Sequence, residues 1–244
     1  TADALTRQDM VERLKLEDAR EFISSFDRPN IRYSIVEKTD PTRQLLRFIE
    51  TEHAGEAGIV YCQSRKRVEE VAQSLVQHGL LALPYHAGMD PHERERVQDS
   101  FLAEELDVVV ATVAFGMGID RSDVRFVVHA SLPKGVEQYS QETGRAGRDG
   151  DPAECVLYYG GADFHGWKNL IVASAKEAHA AGVERAMEDV DDALERLSDM
   201  WRYATGAICR HKTLCEYFGQ SFAVPSGGCG ACDVCLGELS VEGD

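Results

Sequence analysis

Short apolar runs separated by polar helical periods fill residues 28–160. "GIVYC" (58–62) is continuous and β-branched, as a strand covered on both faces would be. "SRKRVEEVAQSLVQHG" follows at helical spacing, with Ser64 as N-cap and Gly79 as stop. "LALPYHAG" reads as a strand, and "DPHERERVQDSFLAEE" as a helix capped by Asp90 with Pro91 in its first turn. "LDVVVAT", "VRFVVHAS" and "AECVLYYG" predict three more strands, with a helix near "KGVEQYSQETGR" between the last two. Strands alternating with helices predict an α/β fold, a parallel sheet with helices on both faces. Ligands of such sheets bind at the carboxyl ends of the strands. The positions to watch are therefore Gln63, Ser64 and Arg65, then His86, Ala87 and Gly88, then Thr112 and Ser131.

The flanks have a different texture. Residues 1–25 read as an amphipathic helix without a cap of its own, so the chain is expected to begin inside something larger. Pro29 and Asn30 end it, and "FDRPNIRYSIVE" becomes extended. Beyond about residue 161 the pattern is helical and closes in a Gly/Cys-rich "SGGCGACDVCLG". The expected divisions are 1–27, a helix closing a preceding domain; 28–160, the α/β domain; 161–236, a helical subdomain; and 237–244, an acidic linker or tail.

Composition narrows the class. With 43% hydrophobic and 28% charged residues, the 244-residue chain can build a sizeable core. No apolar run is long enough to span a bilayer, and the N-terminus lacks the apolar centre of a secretory signal. A cytoplasmic setting without membrane contact is expected. The net charge of −16 weighs against tight non-specific binding to nucleic acid. It does not exclude a basic groove, because much of the acid is concentrated in "VERAMEDVDDALERLSD" and "GELSVEGD".

Cys229, Cys232 and Cys235 form C-x2-C-x2-C among glycines that permit tight turns. This spacing fits a closed structural zinc site, for which Cys209, Cys215 and His211 are the candidate fourth ligands. A redox dithiol would call for a βαβ setting that this region lacks. Cys62 and Cys155 lie in apolar strands, and in a reducing compartment disulfides are not expected.

"YSQETGRAGRDGD" (139–151) places Arg145 and Arg148 three apart among glycines. On one helical face two such cations repel unless an anion lies between them, and glycine lets backbone approach a ligand. Phosphate is the expected anion, with a solvated Gly-rich turn as the plain alternative. "ATVAFGMGID" reads as a loop after a strand, where the Thr112 hydroxyl and free N–H groups could meet a sugar-phosphate chain. A tight turn without ligand fits that stretch equally. Lone histidines at strand ends, His86 and His129, more commonly serve structure than ligands.

These stretches, in order, resemble a known family. "GIVYCQSRKRVEEVA", "YHAGM", "ATVAFGMGIDRSDVRFVVH" and "QYSQETGRAGRDG" resemble the successive motifs of the second RecA-like motor domain of superfamily-two helicases. "SSFDRPNIRY" is similar to the link between motor domains in the RecQ family, and "CRHKTLCEYFGQ" with "CGACDVC" to its zinc-binding subdomain. The resemblance covers nearly the whole chain and is nearest to bacterial RecQ.

The resemblance implies part of an ATP-dependent DNA helicase of three-prime to five-prime polarity, working in recombination and repair. It implies that Arg148 is the arginine finger on the γ-phosphate, with Arg145 and Gln141 positioning and Asp120 among the nucleotide-facing residues. It assigns Ser64, Arg65, His86 and Thr112 to the single-stranded DNA backbone, and Cys209, Cys229, Cys232 and Cys235 to Zn2+. Cys215 then becomes a core cysteine and His211 a non-ligand. Single-stranded and forked DNA, a first motor domain and a single-strand DNA-binding protein are the implied partners, and the nucleoid the implied location. ATP and Mg2+ need a phosphate loop and an acidic box, yet the sequence contains no Gly-Lys and no Asp-Glu pair. By itself the chain is expected neither to hydrolyse ATP nor to unwind DNA. The other reading is a non-catalytic DNA- or protein-binding module.

Overall fold

The computed structural model describes residues 4–20, 25–116, 119–183 and 189–239. Six strands form one parallel sheet: β1 (Ile31–Glu37), β2 (Gly58–Tyr61), β3 (Ala82–Tyr85), β4 (Val108–Ala111), β5 (Phe126–His129) and β6 (Ala153–Tyr159), in the order β1-β6-β5-β2-β4-β3. Side chains alternate across it, as the period of two demands. Val60, Val108, Val110, Phe126, Val128 and Val156 face α2 (Pro41–Glu52) and α3 (Arg65–Gln77). Ile31, Tyr33, Ile59, Val109, Val127 and Leu157 face the opposite layer, built from α4 (Pro91–Leu102), α5 (Val136–Thr143), α7 (Asp189–Thr205) and α8 (Arg210–Tyr217). Each aliphatic side chain fully buried this way contributes about 1.5–3 kcal/mol.

Two sequence expectations change. The N-terminal helix, α1, runs only from Ala4 to Leu14, short of the 1–25 expected; Lys15 follows with φ +54, which a helix cannot continue. Part of the expected stretch, residues 1–3 and 21–24, lies outside the described residues, as do residues 240–244 of the expected tail. The pattern also did not single out α2. Its signal is the same Asp-Pro start as α4, with the Asp40 carboxylate accepting the Arg43 N–H and Pro41 in the first turn.

The region after residue 160 contributes α6 (Gly161–Ala180), α7, α8 and the short α9 (Asp233–Leu236). It shares one core with the sheet, because Leu197, Met200, Tyr203, Cys209, Leu214 and Cys232 pack with Ile31 and Tyr33. It also covers an edge. The Tyr33 N–H donates to the Ala231 carbonyl at 3.0 Å and the Ile35 N–H to Asp233 Oδ2 at 2.9 Å. The outer side of β1 is thus paired rather than left as an open strand template. Among the described residues no helix is long and apolar enough to cross a membrane.

Candidate functional site

Parallel register brings the strand ends level. Tyr85, Ala111, Tyr61 and His129 stand side by side across β3, β4, β2 and β5. The loops that leave these positions form one rim. Ser64 Oγ accepts the Arg67 N–H and closes the first turn of α3. The exposed Arg65 lies over Gly88, where a Cβ would come 2.9 Å from its Nη1, so glycine permits this approach. Half-buried Thr112 starts the next loop, its Oγ1 accepting the Ala114 N–H at 3.5 Å. His86 differs from its neighbours. It is 7% exposed, its Nδ1 accepts the Gly88 N–H at 3.2 Å, and its Nε2 therefore donates to Glu69 Oε1 at 2.8 Å.

The arginine stretch is not a continuous helix. α5 stops at Thr143, and Arg145 and Arg148 lie in the turns beyond it. Both reach the loop after β4. Arg145 Nη1 donates to the Gly116 carbonyl at 2.7 Å. A Cβ on Gly116 would come 2.1 Å from the same guanidinium, so that position requires glycine. Tyr61 holds the adjacent carbonyl, Oη to Phe115 O at 3.1 Å. Burial pushes the Tyr61 phenol well above its ordinary pKa, against the pull of the Arg145 charge, and keeps it a donor. Arg148 is 34% exposed along its side chain, with Nη1 bonded to the Ile119 carbonyl at 3.1 Å and to Asp120 Oδ1 at 2.6 Å. Asp120 is itself 87% exposed, so this is a surface ion pair that a stronger anion can displace. Gln141 is exposed on α5.

Further residues frame the turn. Glu142 bonds His129 Nε2 at 2.7 Å in the interior, and the His129 ring stacks on Tyr61. Arg28 Nη2 donates to the Ala146 and Gly147 carbonyls at 2.9 and 2.7 Å, and Asn30 Nδ2 to those of Gly147 and Asp151, both at 2.9 Å. Gly147 has φ +53, and a Cβ there would lie 2.5 Å from Asn30 Nδ2. The sequence reads "RPN" as a break and as part of a link between motor domains, not as a support for this turn. A partnership more than a hundred residues away leaves no local signal.

The cysteine module forms a second centre. The sulfurs of Cys209, Cys229, Cys232 and Cys235 all lie within 4.8 Å of one another. Tetrahedral zinc thiolates, with Zn–S about 2.3 Å, need sulfurs about 3.8 Å apart, so the four fit one ion. Gly228, at φ +87, lets the chain close around them; a Cβ there would meet the Cys235 Cβ at 2.9 Å. Cys215 lies in α8 outside the cluster, its thiol pushed up to about 11 by burial. His211 is turned to Asp27, Nδ1 to Oδ1 at 2.7 Å.

A six-stranded parallel sheet, with an arginine turn packed on the loop that leaves β4 and an edge strand joined to a four-cysteine knuckle, makes an α/β lobe fused to a candidate zinc module. Residues 37–150 match the helicase conserved C-terminal domain and residues 161–236 the RecQ zinc-binding domain. The chain belongs to the RecQ helicase family. It is 45% identical over 97% of its length to the ATP-dependent DNA helicases RecQ of Pasteurella multocida and Haemophilus influenzae, covering 35% and 36% of those proteins. The chain thus spans about a third of the length of these relatives. Among solved structures, the C-terminal domain of the DEAD-box protein Dbp5 aligns with TM-score 0.48 and 21% identity, over 55% of this chain and 78% of that one.

Proposed function

We propose that this chain is the second motor lobe and zinc module of an ATP-dependent DNA helicase of three-prime to five-prime polarity. ATP and Mg2+ bind between this lobe and a first motor domain that supplies the phosphate loop and acidic box. Arg148 leaves Asp120 for the γ-phosphate and offsets charge in the phosphoryl-transfer transition state. Arg145 and Gln141 position it, with Asp120 at the nucleotide's edge. Ser64, Arg65 and Thr112 hold the single-stranded DNA backbone, and His86 orients the loop that carries Gly88. Cys209, Cys229, Cys232 and Cys235 hold a structural zinc. Single-stranded and forked DNA are the substrates, in the cytoplasm at the nucleoid, with a single-strand DNA-binding protein as a partner.

The observation that carries this reading is that Arg145 and Arg148 both bond the loop leaving β4, which Thr112 begins, with Arg148 held there by a displaceable exposed carboxylate. Replacing Arg148 by Ala in a protein with both motor lobes should lower ATP turnover by about 10³–10⁵-fold and leave DNA affinity intact. Undiminished turnover refutes the assignment. The sequence's lack of Gly-Lys and Asp-Glu pairs favours a second reading for the chain in isolation, a non-catalytic binding module without ATPase activity. A salt titration of single-strand binding separates its forms. Steep weakening marks phosphate contacts, and no binding marks a protein-facing role.

A further inference from the structure

The five residues before β1 touch both centres. On one side Phe26 stacks on Phe218 with centroids 4.6 Å apart, its N–H donates to Gln220 Oε1 at 2.7 Å, and Asp27 pairs with His211 at 2.7 Å. His211 follows Cys209 by two residues, and its Nε2 reaches the Ala231 carbonyl between two of the other cysteines at 3.3 Å. On the other side Arg28 and Asn30 take the carbonyls of Ala146, Gly147 and Asp151. The turn they hold is irregular backbone, with Gly147 and Gly150 at positive φ. Its other backbone ties to the rest of the fold are Gly147 N–H to Val124 O at 2.9 Å and Asp149 N–H to Ser122 O at 3.3 Å, beside an Arg125–Asp149 ion pair.

We propose that residues 26–30 are a positioning strap through which the cysteine module sets the arginine turn, with Arg28 the positioning residue for Arg148. A guanidinium matches the turn because it presents several donors in a fixed fork. One side chain thereby fixes two successive carbonyls that no helix or sheet satisfies. The ring stack and the Asp27–His211 pair anchor the strap to the knuckle, so ordering of the knuckle is transmitted to the turn. The catalytic consequence rests on the reading of Arg148 above; the mechanical link does not.

The test separates the two. Amide hydrogen exchange is measured on this 244-residue chain with zinc present, for wild type, Arg28→Gln, Arg28→Lys and Asp27→Asn. Arg28→Gln should speed exchange at Gly147, Asp149 and Gly150 by about tenfold or more, corresponding to about 1.4 kcal/mol, with β4 and β5 amides unchanged. Arg28→Lys should recover only part, since an ammonium lacks the fork. Asp27→Asn should loosen the same amides while zinc content stays at one ion per chain. Unchanged exchange at the turn in Arg28→Gln overturns the strap. If that variant does not fold, Asn30→Ala decides by the same amides. In a protein with both motor lobes, Arg28→Gln should lower kcat for ATP about tenfold with KM for ATP unchanged. A loosened turn with full kcat overturns the positioning role, whereas full turnover in Arg148→Ala overturns only the finger assignment.

Discussion

Arg210 and Asp233 form a buried bidentate ion pair, Nε to Oδ1 at 2.8 Å and Nη2 to Oδ2 at 3.1 Å, with both residues almost wholly out of solvent. Arg210 lies in α8 one residue after Cys209, and Asp233 one residue after Cys232, so the pair ties together the two chain segments that carry the cysteines. Asp233 also accepts the Ile35 N–H of β1, and Arg210 Nη1 caps the Tyr203 and Gly206 carbonyls. Burial alone would lower the pKa of the Arg210 guanidinium, and Asp233 more than reverses this.

Replacing Asp233 by Ala should therefore destabilise the chain by about 3–5 kcal/mol, because a guanidinium stays buried without its partner. Denaturant unfolding measures it, with zinc content as the control. The double variant Arg210→Met/Asp233→Leu should recover much of the loss. A wild-type midpoint for Asp233→Ala contradicts a structural role for the pair.

Chelation should reach the sheet. The Tyr33 and Ile35 amides are satisfied by Ala231 and Asp233 of the knuckle, and metal binding at such sites is linked to folding. On zinc removal their exchange should accelerate together with residues 229–236, while β4, flanked on both sides by strands, stays protected. This differs from the independent melting of 161–236 that separate cores would give. Protection of Tyr33 and Ile35 in the chelated protein would show that β1 does not depend on the knuckle.

Gly58 opens β2 beneath an aromatic ring. A Cβ there would lie 2.0 Å from Phe126, and both residues sit in the layer under α2 and α3. Gly58→Ala should cost about 1–3 kcal/mol through overpacking. Phe126→Leu, destabilising in its own right, should relieve part of that cost in the double variant. Simple additivity in thermal unfolding would exclude the clash as the cause.

His53 gives the fold a pH dependence. Its Nδ1 lies 2.7 Å from Glu56 Oε2 and its Nε2 3.6 Å from Glu154 Oε2. Burial would lower its pKa, but the two carboxylates outweigh that and raise it. The protonated ring favours the fold, so its contribution is complete below the unfolded pKa of about 6.5 and fades as pH rises through the folded value. The melting-temperature gap between wild type and His53→Gln should be wider at pH 5 than at pH 8. An equal gap at both would mean that the carboxylates do not act on the ring.

Much of the architecture was legible locally. β2, β4 and β5 announce themselves as unbroken branched runs because both of their faces are covered, and Ser64 and Asp90 mark helix starts because a capping side chain acts within three residues. The four cysteines were visible as a set once the family resemblance chose Cys209 over Cys215 and His211. α2 had the same capping signal and was passed over. Arg145 and Arg148 were found by spacing, but spacing suggested one shared face, and the chain leaves the helix at Thr143 before either is reached.

The sequence by itself determined the alternation of strands and helices, the positions at the strand ends and the knuckle spacing, since each depends on neighbours a few residues apart. Only the tertiary structure decided that β1 stands at the sheet edge beside β6 and against the knuckle, that Arg145 ends on Gly116, that His86 turns inward to Glu69, and that Arg28 holds the arginine turn. Those outcomes depend on buried donors finding acceptors tens to hundreds of residues away. A hydrogen bond across such a separation is selected by packing, and the local pattern carries no trace of its partner.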